Sequence, residues 1–315
     1  MSSYAKTTPE RISSPLARGF FVVWIFLVLV LGCDASREAG ETWSQTGRAD
    51  GQLVTPRAIA YDPINDRYYV IDKTGRVQRY SSQGKFELGW MMSETDNGKP
   101  VGLSIGSEGN VWVADTHYQR VMIFSPDGKR LWEFGKEGKG VGQFIFPTDI
   151  AFDAQANVYV SEYGGNDRIQ VFDPSGNHLR TFARFGQGEG ELSRPQAIAI
   201  RGSELFVADA CNHRVVVFGL DGKVLRTIGK VGSASGEFRF PYSVDFDLSG
   251  NLLVCEYGNS RLQTLTRDGS PVAILGSGGR RGGELSLPQP ARKTVMASAE
   301  TRPSEENFRV MSVTP

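Results

Sequence analysis

One short pattern returns five times along this chain, and that recurrence limits the fold more than any other feature. The segments YYVID (68–72), VWVAD (111–115), VYVSE (158–162), LFVAD (205–209) and LLVCE (252–256) each end on an acid, at steps of 43, 47, 47 and 47 residues. Self-similarity at a nearly fixed period marks a stack of supersecondary units. Each segment is a short β-branched and aromatic run with no polar face, the pattern of a strand buried on both sides.

Four to six residues after each acid an arginine opens a second run: RVQRY (76–80), RVMIF (120–124), RIQVF (168–172), RVVVF (214–218) and RLQTL (261–265). The turns that follow read SSQGK, SPDGK, DPSGN, GLDGK and TRDGS, with glycine where a hairpin needs positive φ. A third run follows each turn, and a fourth precedes each acid behind a proline, as in TPRAIAYD, FPTDIAFD and FPYSVDFD. Four short strands in each unit of about 47 residues predict propeller blades. Thirty-seven glycines and fifteen prolines, with no long amphipathic stretch, agree with an all-β chain.

The fourth copy, VADACNHRVVVF, carries Asn212-His213-Arg214 and resembles the NHL repeat, and the resemblance covers residues 41 to 287. It implies a six-bladed β-propeller with four-stranded antiparallel blades. These are expected near 48–89, 90–135, 136–186, 187–229, 230–276 and 277–315. The last is degenerate, because PQPARKTVMASAETRPSEEN replaces the expected strand, although Asn307-Phe308-Arg309-Val310 keeps the frame. Residues 41–47 resemble the outer strand of the second repeat and are expected to close the sixth blade, which would remove an open sheet edge. A ring closed in this way is expected to be a monomer.

Upstream of the repeats, Lys6, Arg11 and Arg18 precede an uninterrupted apolar run from Phe20 to Leu31, then Gly32 and Cys33. That is the layout of an export signal, and a twelve-residue helix reaches only about 18 Å, short of a bilayer core of about 30 Å. Val30-Leu31-Gly32-Cys33 resembles the lipobox of bacterial lipoproteins. The resemblance implies removal of residues 1–32, a lipid on Cys33, a linker over 33–40, and tethering on the periplasmic or cell-surface side. An ordinary signal peptide, or a short anchor, would fit the same residues. From 35 basic and 35 acidic residues, the signal takes three cations and one acid, so the remainder has no basic excess to attract nucleic acid.

Two sets of residues are candidates for recognition. The recurring acids Asp72, Asp115, Glu162, Asp209 and Glu256 and the arginines Arg76, Arg120, Arg168, Arg214, Arg261 and Arg309 should ring one face. They could hold a charged ligand, or they could staple strands, as residues repeated in every unit usually do. The residue after each leading proline varies instead (Arg57, Val101, Thr148, Gln196, Tyr242, Gln289); this ring is expected to line the central funnel, and its mixture suits a polar small molecule or peptide. His117 and Tyr163, in the turns after the acids, join this set.

Catalytic signatures are absent: there is no His-Glu-x-x-His, nucleophile elbow or Walker loop. FPTDIAFD and VYVSEYGGNDRIQVFDPSG are similar to the metal-site blades of peptidyl-hydroxyglycine amidating lyases. In those enzymes zinc-binding histidines follow the leading proline, where this chain has Gln196 and Tyr242. Only His117, His178 and His213 exist, in unlike loops, so no metal or other cofactor is expected. A binding or scaffold module for a protein, peptide or glycan is therefore the leading expectation. A metal-dependent lyase or lactonase, with Ca²⁺ or Zn²⁺ on the acid ring, is the alternative. Cys211 and Cys255 could form one bridge or be two packed side chains.

Overall fold

The computed structural model describes residues 44–276, all within one compact unit. They form five antiparallel sheets of four strands, each in simple sequence order. Blade 1 comprises Pro56–Asp62, Arg67–Asp72, Arg76–Ser81 and Phe86–Met91; blade 2, Gly102–Ile105, Val111–Asp115, Arg120–Phe124 and Arg130–Phe134. Blade 3 comprises Phe146–Phe152, Val158–Tyr163, Arg168–Phe172 and His178–Phe182. Blade 4 is Pro195–Arg201, Glu204–Asp209, Arg214–Gly219 and Val224–Ile228, and blade 5 is Pro241–Phe246, Leu252–Glu256, Arg261–Leu265 and Pro271–Leu275. The described residues thus hold five blades rather than six; the region expected to form the sixth, 277–315, lies outside them, as do the export segment and Cys33.

First strands of consecutive blades touch one another, which places them innermost. Fourth strands alternate between covered and open residues, as in Phe86–Met91 and Val224–Ile228, which places them outermost. The middle strands are covered on both faces, hence their runs without polar alternation. Apolar clusters fill the space between neighbouring blades. Tyr69 and Ile71 of blade 1 share one with Val113 and Met122 of blade 2, and Phe206 and Val217 of blade 4 share another with Val244 and Leu265 of blade 5. Polar links cross the same gaps. Ser104 Oγ donates to Ile150 O at 2.6 Å, and the Ile198 N–H donates to Asp149 Oδ2 at 2.7 Å.

Short connectors lead into the blades, and four share one device. A parallel contact pins the loop onto itself at Thr46–Leu53, Glu137–Phe144, Phe185–Leu192 and Val231–Phe238. The second member of each pair, Leu53, Phe144, Leu192 or Phe238, is a fully buried plug. Burying such a side chain stabilises by roughly 2–3 kcal/mol. Gly135 and Gly229, at φ +93° and +79°, make room for the aromatic plugs, since an added Cβ would lie 2.6 and 2.3 Å from the Phe144 and Phe238 rings. Residues 44–47, the described part of the expected closing strand, belong to the first such connector.

Candidate ligand-binding face

Antiparallel order brings three things to one end of every blade: the connector, the start of the first strand, and the turn between the second and third strands. All the recurring acids and arginines meet there. In blade 4 the Asp209 carboxylate is wholly buried and accepts from Ser193 N–H at 2.6 Å, Asn212 Nδ2 at 2.8 Å and Arg214 Nε at 2.8 Å. Arg214 Nη2 donates to the connector carbonyls of Gly188 and Glu191, at 2.9 and 2.8 Å.

Blades 3 and 5 repeat this arrangement. Glu162 accepts from Arg168, Ile145 N–H and Gln170, while Arg168 reaches Lys139, Gly140 and Gln143 carbonyls. Glu256 accepts from Arg261, Arg239 N–H and Gln263, while Arg261 reaches Ser233, Ala234 and Glu237 carbonyls. In blade 1 Arg76 joins Asp72 to the carbonyls of Arg48, Ala49 and Gln52. One acid and one arginine therefore clamp two strands to the loop that leads into them. These carboxylates are committed to donors inside the fold.

Blade 2 departs from the pattern. Arg120 pairs with Asp115 at 3.0 Å and turns to Glu94 and Glu133, and no connector carbonyl accepts from it. Asp115 Oδ1 is buried without a partner, and burial pushes the carboxyl up to about 6.

The residues after the leading prolines share a different geometry. In blades 1, 4 and 5 the pairing of first and second strands slips there, running from Pro56 to Ala58, Pro195 to Ala197 and Pro241 to Ser243. Arg57, Gln196 and Tyr242 are thus the bulged residues, re-aimed out of the ladder as bulges near binding sites often are. Thr148 is the bulged residue of blade 3, skipped between Pro147 and Asp149. Its place differs from the expected one on the funnel wall. It is buried, and its hydroxyl is engaged with Ser161 Oγ at 2.7 Å and Pro195 O at 2.8 Å, so it holds blade 3 to blade 4. Threonine is short enough for its hydroxyl to be captured by the neighbouring backbone. In blade 2 the first strand starts only at Gly102, after Val101.

Just before these prolines, Thr55, Arg194 and Phe240 sit at φ +48°, +59° and +47°. Such values are strained for residues with a Cβ, and for residues preceding proline they are doubly unfavourable. The flip turns their carbonyls to accept from Lys73, Ala210 and Tyr257 N–H, so the turn after each acid holds the strained residue in place.

Together these positions build a continuous belt across four blades. His117 packs on Phe146 (5.9 Å between centroids), Phe146 on Tyr163 (5.2 Å), and Tyr242 on Tyr257 (5.3 Å). The Arg194 guanidinium bridges the halves, 5.2 Å from the Tyr163 ring and 5.9 Å from the Tyr242 ring. Burial, with Arg57 and Lys99 nearby, lowers the pKa of His117, which favours the neutral imidazole. Burial also raises Tyr242 against the opposing pull of Arg194, so its phenol is neutral at neutral pH. Gln196 Nε2 and Arg57 Nε are buried without partners. Phe146, Arg194 and Tyr257 are absent from the set expected from sequence; variation at the residue before each leading proline (Thr55, Lys99, Phe146, Arg194, Phe240) was the signal that could have found two of them.

The other histidines are occupied separately. His213 Nδ1 accepts from Phe240 N–H at 3.1 Å, and His178 bonds Thr181 at 2.8 Å. Among the described residues no three His, Cys, Asp or Glu side chains are grouped to hold a metal ion. Cys211 and Cys255 are free thiols, exposed and partly covered respectively, not a bridge.

The family described as NHL repeat matches residues 192–218, the heart of blade 4. The brain tumor protein of Drosophila melanogaster is 32% identical over 53 residues, 17% of this chain and 5% of that protein's length. A streptogramin B lyase structure superposes with a TM-score of 0.55 at 16% identity, covering 72% of this chain and 70% of that one. A chain of the nidogen/laminin complex does so with a TM-score of 0.55 at 17% identity, covering 70% and 79%. At such identities the fold alone is shared. The repeated four-stranded blades and the family match together give a β-propeller fold with an NHL repeat in blade 4.

Proposed function

We propose that this propeller is a binding module that takes a protein, peptide or glycan partner on the face carrying the belt. One observation carries the reading. On that face the acids of blades 1, 3, 4 and 5 are consumed by their clamps, while the bulged and strained residues leave a guanidinium exposed, an amide N–H without a partner and aromatic faces partly uncovered. A fold of this kind in a nidogen/laminin complex fits protein binding. The residues from 277 onward complete a sixth blade in this reading, closed by the start of the mature chain. The ring is a monomer tethered through a lipid on Cys33 outside a bacterial membrane, which the sequence around Leu31-Gly32-Cys33 supports.

The test is a photo-cross-linking amino acid placed at position 242 or, at the opposite end of blade 5, at position 249, in cells that make the protein. Adducts from 242 and none from 249 are expected; adducts from neither, or equally from both, would overturn the reading. A stoichiometric Ca²⁺ or Zn²⁺ in the purified full chain would instead favour a metal-dependent lyase or lactonase.

A further inference from the structure

The belt has a chemical bias that narrows the ligand class. Arg194 is exposed, and its guanidinium makes no hydrogen bond or ion pair with the described residues; it is held only by the two phenol faces. Gln196, two residues on, is the bulged residue of blade 4, and its Nε2 is buried without a partner. The nearest carboxylate by connection, Asp167, is buried and occupied by the N–H groups of Arg194 and Gly165, at 2.6 and 2.9 Å. Glu162, Asp209 and Glu256 are fully buried in their clamps. The unpaired polar groups of the belt on blades 3 to 5 are thus a guanidinium and an amide N–H, both donors, with phenols that can serve either way.

A guanidinium held 5.2 and 5.9 Å from two aromatic ring centroids is suited to a planar anion, because its fork matches two carboxylate oxygens. The φ of +59° at Arg194 adds to the argument, since strain of that kind persists where surrounding structure enforces it and clusters at ligand sites. Arginine and tyrosine at a partly covered centre are also the residues that dominate protein interfaces.

We propose that the belt captures an acidic peptide segment of a partner protein, with an Asp or Glu carboxylate on Arg194 and Gln196 and its neighbouring side chain against Tyr242 and Tyr257. This rests on the belt face being the binding face. Exposed charge pairing of this sort weakens as salt is raised.

Panning a random dodecapeptide display library on the detergent-solubilised full chain, in parallel with Arg194→Gly, tests it. Glycine adopts the left-handed backbone without strain, so this variant should keep the wild-type melting temperature. Peptides that need Arg194 are expected to be enriched in Asp and Glu. A synthetic representative should lose about tenfold in affinity when its acid becomes the amide, and about tenfold on Arg194→Gly. Arg194-dependent peptides without acidic enrichment, or acidic peptides bound equally by the variant, would overturn the proposal. So would oligogalacturonate bound through Arg194 where no peptide is retained, which would make an acidic glycan the occupant. Cross-linking at position 242 separates the two readings: adducts there with no acidic peptides would sink this inference and leave the binding face standing.

Discussion

Blades 2 and 4 start from the same acid and arginine and end in different states. In blade 4 a long connector supplies a buried plug, Leu192, and two carbonyls, so Asp209 and Arg214 are both satisfied. In blade 2 the step between acids is 43 residues rather than 47, and the shorter connector offers no carbonyl to Arg120. The arginine recruits Glu94 and Glu133, and Asp115 is left with one orphaned oxygen and a carboxyl near 6. The clamp is therefore a three-part device. Without the loop, the same two residues make a costly buried acid instead of a closed network.

Substitutions can break this comparison at graded depths. The largest effect is expected at Asp209→Ala, which strands Arg214, Asn212 and the Ser193 N–H at a buried position; about 3–5 kcal/mol of stability should be lost in urea unfolding. Asp115→Ala should cost visibly less, because its carboxylate is already incompletely served. Equal losses at the two sites would undo the distinction.

A smaller effect follows from pH. The folded Asp115 carboxyl titrates near 6, above the ordinary value of 3.8, so the native state holds a proton that the unfolded chain has released. This contribution is fully present below about pH 3.8 and is lost as pH rises through about 6, and it should be on the order of 1–3 kcal/mol. Asp115→Asn should flatten that part of the stability profile between pH 4 and 7, measured against wild type by thermal unfolding.

The smallest contrast separates the two arginines. Arg214 serves a carboxylate and two carbonyls through a fixed fork, whereas the partners of Arg120 are carboxylates, which a point charge can serve. Arg214→Lys should therefore cost about 1 kcal/mol more than Arg120→Lys in the same unfolding assay.

Much of the scaffold was legible because period and strand chemistry are local. VWVAD and LLVCE are strands at the bounds read from sequence, and VYVSE and LFVAD extend by one residue each, to Tyr163 and from Glu204. The connectors were not legible. Their parallel contacts and plugs depend on where a loop folds back, which no periodicity reports. Thr148 misled because burial against the next blade is invisible in its own repeat. The belt stayed hidden for a related reason: Phe146, Arg194 and Tyr257 come from three blades and meet only when connectors and turns share one end of the sheets.

On one face, as proposed, repeat-wide residues hold the blades while Arg194 with its aromatic neighbours holds the ligand. The cross-linking yield from position 242 in Arg194→Gly protein, normalised to the amount folded, tests it most directly. The account expects a fall of about tenfold with the melting temperature unchanged. An unchanged yield, or a lowered melting temperature with the yield retained, would place Arg194 among the structural residues and contradict it.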